Sequence, residues 1–173
     1  MNYADIKKVD VANGPGVRVS LFVSGCTHHC EECFNPETWD FGFGAPFGET
    51  QIKTILSLLD KEHIRGLSLL GGEPFEPANQ VAVLELVLRV RERLPEKTIW
   101  CYTGYLYEAL AANQIGEHIQ ELLEQLDVLV DGPFVREKKD LGLRFRGSSN
   151  QRIIDVPASL KAGAVVLNTE YMN

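Results

Sequence analysis

The sequence lacks any apolar run near the roughly 20 residues that a transmembrane helix requires. Its first eight residues, MNYADIKK, also lack the apolar stretch of a signal peptide. We therefore expect no membrane segment and a cytoplasmic location. Basic residues are in the minority, since 17 Lys and Arg stand against 24 Asp and Glu for a net charge of −7. A negative field disfavours nucleic acid and anionic lipid, so neither is expected as a partner.

Internal repeats, low-complexity tracts and long linkers are absent as well. Hydrophobic residues make up 45% of the 173 residues and charged residues 24%, which is typical of a globular protein. A chain of this length suits one domain. The expectation is a single domain over residues 1–173.

Apolar runs rich in β-branched residues alternate with amphipathic stretches of helical period. Ile52, Ile55, Leu56 and Leu59 form one helical face, and Val81, Leu84 and Leu88 are predicted to form the buried face of another helix. Strands are predicted at 17–23, 66–70, 98–102, 127–130, 151–156 and 164–167. Strands separated by helices indicate parallel βαβ units. About six mostly parallel strands in so short a chain predict an α/β fold of the open, partial (β/α) barrel type.

Cysteine is scarce, and its distribution is informative. Of the four cysteines, Cys26, Cys30 and Cys33 lie within eight residues with the spacing C-x3-C-x2-C, and Cys101 lies far away. In a reducing compartment such a group indicates a metal site more than a disulfide framework. Thiolates select zinc, copper(I) or iron–sulfur clusters. Three ligands would leave one iron of a 4Fe-4S cluster open, as in catalytic metal sites. Cys101, inside a predicted strand, is expected to be a small buried hydrophobe.

Structural zinc is the alternative at this loop. Structural zinc is coordinated by four ligands, and the fourth would be His28, His29 or the distant Cys101. The sequence has no second C-x2-C pair, which weakens the zinc hypothesis without excluding it. A non-catalytic zinc module therefore stays open at this point.

The cysteine spacing with an aromatic residue after the third cysteine, here Phe34, resembles the radical S-adenosylmethionine superfamily. The segment 71–74 (GGEP), which follows a predicted strand, resembles the glycine-rich motif of that superfamily. The resemblance implies a 4Fe-4S cluster on the three cysteines and reductive cleavage of S-adenosylmethionine to a 5′-deoxyadenosyl radical. The residues that it implies for the cofactor pocket are Glu32, Cys33, Phe34, Gly71, Gly72, Glu73 and Asp131. For Asp131, a turn-capping role has equal weight.

Further motifs resemble the glycyl-radical-activating branch of the superfamily. They are the segment 13–18 (NGPGVR) and the segment 35–40 (NPETWD) on either side of the cysteine loop. Over 13–152 the chain is most similar to activating proteins of anaerobic ribonucleoside-triphosphate reductases. This implies a large glycyl-radical subunit as partner and a one-electron donor like flavodoxin or ferredoxin. The alternatives are another glycyl-radical enzyme or a small-molecule substrate such as a deazapurine precursor.

Overall fold

A computed structural model describes residues 1–172; residue 173, the last of the predicted domain, lies outside the described residues. The strands are β1 (Asn2–Asp10), β2 (Val17–Val23), β3 (Ala45–Pro46), β4 (Ile64–Gly71), β5 (Thr98–Tyr102), β6 (Val128–Asp131) and β7 (Arg152–Asp155). The α-helices are α1 (Glu49–Leu59), α2 (Pro77–Arg93), α3 (Tyr107–Ala111), α4 (Ile119–Gln125) and α5 (Val156–Ala162). Short 3-10 helices cover Pro36–Trp39 and Arg136–Lys138. None of the helices in this described part is long and apolar enough to cross a membrane.

The seven strands form one mixed sheet in the order β3-β1-β2-β4-β5-β6-β7. The central strands β2, β4, β5 and β6 are parallel. The α/β class and this parallel centre agree with the sequence prediction. The flanking strands β3, β1 and β7 are antiparallel to their neighbours.

The last two predicted strands have different outcomes. The strand near 151–156 is confirmed as β7, which pairs antiparallel with β6 across a long connection that contains a short 3-10 helix. The segment 164–167 is not a strand of the sheet. It contributes a single bridge between Leu167 and Ile154, since α5 and its left-handed cap Gly163 occupy the chain before it.

The two faces of the sheet differ in what covers them. Alternate residues of the central strands pack under the helices: Leu21, Leu67, Leu69, Ile99 and Leu129. The residues between them, Arg18, Ser68 and Trp100 among others, lie on the opposite face, where the Arg18 guanidinium donates to Ser68 Oγ at 2.8 Å. Loops and Tyr171 cover part of this second face. We call it the open face.

Helix α2 buries a different side from the one predicted. Val81 is 62% exposed and Leu88 is 45% exposed, whereas Leu84 is buried as expected. The buried positions also include Val83, Leu86, Val87 and Val90. Apolar residues surround much of this helix, so its periodicity allows two faces. The set at 83, 86, 87 and 90 has the full i, i+3, i+4, i+7 pattern of one helical face, whereas the set at 81, 84 and 88 lacks one position.

The orientation of α2 is tested by two matched truncations on the same helix. Leu86→Ala is expected to lower the free energy of unfolding by about 2–5 kcal/mol, because it opens a cavity in the core. Leu88→Ala is expected to change it by about 0.5 kcal/mol or less, because the side chain is partly in solvent. Urea denaturation of both variants measures the difference. Equal losses would contradict this orientation.

Candidate functional site

The carboxyl ends of the four parallel strands meet at one edge of the sheet, where a cavity of about 780 Å³, counted with its mouth, opens to solvent. Cys26, Cys30 and Cys33 all line this cavity. None of the three is in a disulfide. The loop after β2 thus presents three free thiols to one space, at the end of the sheet where parallel α/β proteins place their chemistry.

The cavity brings together most of the predicted site residues. Those that line it are Cys26, Cys30, Cys33, Phe34, Gly71, Gly72 and Glu73. Glu32 and Asp131 are not among the lining residues. The Asp131 carboxylate is fully buried, accepts the Tyr107 N–H at 2.8 Å and pairs with Arg152. The Glu32 carboxylate lies 3.4 Å from the Arg136 guanidinium.

The three thiols do not converge on one point as the ligands of a single metal ion would. Within residues 1–172, no three His, Cys, Asp or Glu side chains lie close enough to hold one metal ion together. Zinc binds sulfur at about 2.3 Å, so its ligand atoms stand only about 4 Å apart. In a 4Fe-4S cluster each cysteine binds a different iron, and the sulfurs stand farther apart.

The remaining ligands that a zinc site would need are engaged elsewhere. His28 Nε2 lies 2.8 Å from Glu73 Oε2. The His29 ring stacks on Trp39, with centroids 4.5 Å apart. Cys101 is buried on the helix-covered face and does not line the cavity. Three thiols therefore face the cavity together with His28, whose Nε2 is engaged by Glu73.

Glu73 joins three parts of the site through four hydrogen bonds. Its side chain is 1% exposed. Oε1 accepts the Phe75 N–H and the Thr103 hydroxyl, each at 2.9 Å. Oε2 lies 2.8 Å from both the Gly104 N–H and His28 Nε2. Desolvation lowers the pKa of His28, but the hydrogen bond and charge of Glu73 outweigh it and raise that pKa. One carboxylate thus connects the end of β4, the end of β5 and the cysteine loop.

A second set of contacts anchors the cysteine loop to the start of α2. The Thr27 N–H and hydroxyl both lie 2.7 Å from Glu76 Oε1. The Asn79 amide donates to the Ser24 carbonyl at 3.0 Å and to the Glu73 carbonyl at 3.1 Å. Glu76 and Asn79 are buried, whereas Thr27 is exposed. The thiols are therefore held by a rigid element, although they lie on a loop.

Glycine is required where β4 meets this loop. Gly71 has φ +106°, and a Cβ there would come within 2.7 Å of the Val23 backbone. A Cβ on Gly72 would lie 2.6 Å from the Gly25 carbonyl oxygen. Only a residue without a side chain allows both the backbone conformation and the contact. The backbone of Gly71 and Gly72 therefore lines the cavity directly.

The sulfur atoms differ in environment. Burial raises the pKa of Cys26 to about 11, so a metal that binds this sulfur must displace a proton. Cys33 Sγ accepts a hydrogen bond from the Asn35 N–H at 3.4 Å. Hydrogen bonds to cluster sulfurs and solvent exposure set the reduction potential of such a centre.

Ten lining residues are outside the predicted site set. Among them, Tyr102 ends β5, whereas Phe134 and Gln151 lie on the long connection between β6 and β7. They are far apart in sequence and share no spacing that marks a site. A signal existed for two of them, because Phe134 follows the strand end at 131–133 and Gln151 lies in the segment 146–152 (RGSSNQR).

Glu73→Gln tests the carboxylate that connects the loop. A glutamine amide offers one acceptor oxygen, so its NH₂ group would face two donors in a buried space. We expect the free energy of unfolding to fall by about 1–3 kcal/mol. Glu85→Gln, on the exposed side of α2, is the control and is expected to have almost no effect. Chemical denaturation measures both, and an unchanged Glu73→Gln variant would contradict the connecting role.

Arg152→Ala tests the ion pair that holds Asp131. Removing the guanidinium leaves a fully buried carboxylate without its charge partner, and we expect a loss of about 2–4 kcal/mol in unfolding free energy. Arg152→Lys keeps the charge but not the forked contact to Asp131 and Glu108, so an intermediate loss is expected. Urea denaturation of the two variants measures which of them loses more unfolding free energy. A wild-type value for Arg152→Ala would refute this account.

Comparisons with known proteins agree with this geometry. Residues 12–154 match a family model described as a 4Fe-4S single cluster domain. An anaerobic ribonucleoside-triphosphate reductase-activating protein of Vibrio cholerae is 47% identical over 155 residues, covering 88% of this chain and 97% of the relative. The protein of that name from Escherichia coli K12 is 44% identical and covers 87% of this chain and 96% of its own length. That of bacteriophage T4 is 42% identical, with 88% and 93% covered.

These matches extend over nearly the same residues as the motifs from 13 to 152, and they confirm the resemblance. They also favour the cluster over structural zinc on Cys26, Cys30 and Cys33, because the matched family is defined by one 4Fe-4S centre. The chain belongs to the family of anaerobic ribonucleoside-triphosphate reductase-activating proteins, with a 4Fe-4S single cluster domain.

Proposed function

We propose that this chain is a radical S-adenosylmethionine enzyme that generates a glycyl radical on the large subunit of anaerobic ribonucleoside-triphosphate reductase. One observation carries the proposal: three free thiols with C-x3-C-x2-C spacing line one cavity beside a Gly-Gly-Glu strand end. The names of the relatives support the reductase as partner over a small-molecule substrate or another glycyl-radical enzyme. We also propose that the mixed sheet with its parallel centre corresponds to an open, partial (β/α) barrel, within a single domain over residues 1–173.

Cys26, Cys30 and Cys33 would hold a 4Fe-4S cluster with one iron free of protein ligands. When bound, the cluster supplies the open iron and the electron for cleaving S-adenosylmethionine to methionine and a 5′-deoxyadenosyl radical. A flavodoxin-like or ferredoxin-like protein would deliver that electron. We place the activity in the cytoplasm, where free thiols persist.

The chain itself would bind and orient S-adenosylmethionine. The backbone carbonyls of Gly71 and Gly72 line the cavity and suit the amino group of its methionine part. Glu73 would add negative charge there while its hydrogen bonds to His28 and Gly104 keep the strand end and the cysteine loop in register. Phe34 offers a ring face for adenine.

Glu32 and Asp131 would act from the margin of the cavity. Asp131 holds the Tyr107 N–H and Arg152, which fixes the turn after β6 beside the lining residue Gly132. The Glu32 carboxylate pairs with the Arg136 guanidinium 3.4 Å away. Their proposed contribution is to position the cavity walls around the cofactor.

Water must be kept from a radical intermediate, and the chain alone leaves the mouth open. Phe34 is 69% exposed and lies 5.7 Å, centroid to centroid, from Phe134 at this mouth. Binding of a large partner would cover these two rings. The site would then exclude water when the substrate glycine is present, which is when the radical forms.

The function is tested by purifying the protein without oxygen, reconstituting it with iron and sulfide, and adding S-adenosylmethionine with a strong reductant. We expect a brown protein that forms 5′-deoxyadenosine, measured by chromatography beside an iron count. Cys26→Ala, Cys30→Ala and Cys33→Ala are each expected to abolish the product, because each removes a cluster ligand. Cys101→Ala is the matched control and is expected to retain activity, since its thiol lies in the core.

Electron paramagnetic resonance after addition of the large reductase subunit reports the glycyl radical. A colourless protein that keeps one zinc and forms no 5′-deoxyadenosine would refute the proposal. Full activity in any of the three ligand variants would refute it as well.

A further inference from the structure

A second cavity, of about 910 Å³ with its mouth, lies on the open face of the sheet next to the first. The residues that line both cavities are Phe34, Leu70, Tyr102, Phe134 and Gln151. The two spaces therefore adjoin at these five residues, and the second one lies beside the space that the three thiols line.

Two segments form the walls of this second cavity. One wall contains Ala12 and Asn13, between β1 and β2. The other is a hairpin closed by the bridge between Lys139 and Ser148. Leu141, in the turn of the hairpin, is 89% exposed. We call the space between these walls the 12/141 groove.

The junction between the groove and the first cavity is narrow and aromatic. The rings of Phe34 and Phe134 border it, and Lys139 Nζ lies 5.9 Å from the centre of the Phe34 ring. A Cβ on Gly147 would lie 3.1 Å from the Phe134 ring and 3.6 Å from Phe34. The walls leave little room for a bulky side chain here, which favours an occupant that is slender at this point.

A residue that lines both spaces, Tyr102, carries a polar group without a partner in the described part of the chain. The Tyr102 hydroxyl is buried and has no hydrogen-bond partner among residues 1–172. Burial raises its pKa, so it remains a hydrogen-bond donor at neutral pH. A buried hydroxyl that makes no hydrogen bond is costly, and a carbonyl oxygen entering the groove would relieve that cost.

We propose that the 12/141 groove binds an extended segment of the glycyl-radical subunit, with the Tyr102 hydroxyl donating to a backbone carbonyl near the reactive glycine. The inference rests on the proposed function and specifies where its protein substrate enters. A glycine flanked by extended backbone is slender enough for the aromatic junction, and its carbonyls match the donor. Its Cα would then reach the first cavity.

The transfer at that point is one hydrogen atom. The Cα–H bond of the glycine breaks, and a C–H bond forms on the 5′-carbon of the deoxyadenosyl radical. The unpaired electron stays on the glycine, and 5′-deoxyadenosine leaves. The electron that began the sequence comes from the flavodoxin-like or ferredoxin-like donor, so atoms and electrons balance.

The groove is tested with three substitutions that each introduce a negative charge, one on each wall of the groove and one on a distant surface as a control. Ala12→Glu and Leu141→Glu place a carboxylate on opposite walls, and both positions are exposed. Val81→Glu, on exposed α2 surface, is the control with the same change in net charge. Two readouts are taken: 5′-deoxyadenosine formed without the subunit, and the glycyl radical formed as the concentration of the large reductase subunit is varied.

We expect both groove variants to raise the KM for the subunit by about tenfold and to keep the wild-type rate without it. Val81→Glu is expected to match the wild type in both readouts. A wild-type KM in both groove variants would overturn the groove, and so would an equal loss in the two readouts. A wild-type protein that forms no 5′-deoxyadenosine would instead overturn the proposed function itself.

Tyr102→Phe removes only the hydroxyl oxygen and tests the hydrogen bond separately. We expect the KM for the subunit to rise about three- to tenfold, with a smaller change in kcat at saturating subunit. A purely structural role for the hydroxyl would leave the KM unchanged. An unchanged KM in Tyr102→Phe would therefore overturn the assigned hydrogen bond.

Discussion

The Glu73 carboxylate lies in a nearly water-free space at the end of β4, where two backbone N–H groups, the Thr103 hydroxyl and His28 surround it. These donors belong to three segments: the start of α2, the end of β5 and the cysteine loop. Where water is excluded, a satisfied network is strong and a half-satisfied one is costly, so the segments hold together or come apart as a unit. The position of the three thiols therefore depends on Glu73, a residue that does not have to bind iron itself.

The parallel centre of the sheet determines why these segments meet. In β2, β4, β5 and β6 the chain runs in one direction, so their carboxyl ends and the loops that follow gather at one edge. The helices cover the other side of the sheet, which leaves the open face to loops. The first cavity forms at the edge, and the 12/141 groove forms on the open face. The thiol-lined cavity and the proposed entry groove are thus different spaces, and they adjoin at the residues that line both.

Continuous sequence motifs predicted part of the fold and of the site. The other features depend on pairing between segments that are distant in the sequence. The cysteine spacing and the GGEP segment predicted the residues that line the cavity, because each motif is continuous in the chain. The first strand, Asn2–Asp10, was not predicted, since its charged residues hide the β pattern of an exposed strand. The direction of β7 and the contribution of Phe134 depend on how distant segments pair, and no short window of sequence contains that information.

The end of the described chain, which carries no recognisable motif, has a mechanical relation to the groove. Tyr171 packs on Trp100 and on Phe145, with ring centroids 5.5 and 5.7 Å apart, and Phe145 belongs to the hairpin that forms one wall. Phe145 itself packs on Trp100 of the sheet, with ring centroids 5.5 Å apart. The packing of Tyr171 therefore fixes the position of the hairpin relative to the sheet, and with it the width of the groove. Variation at this end can retune partner recognition while the thiol-lined cavity stays intact.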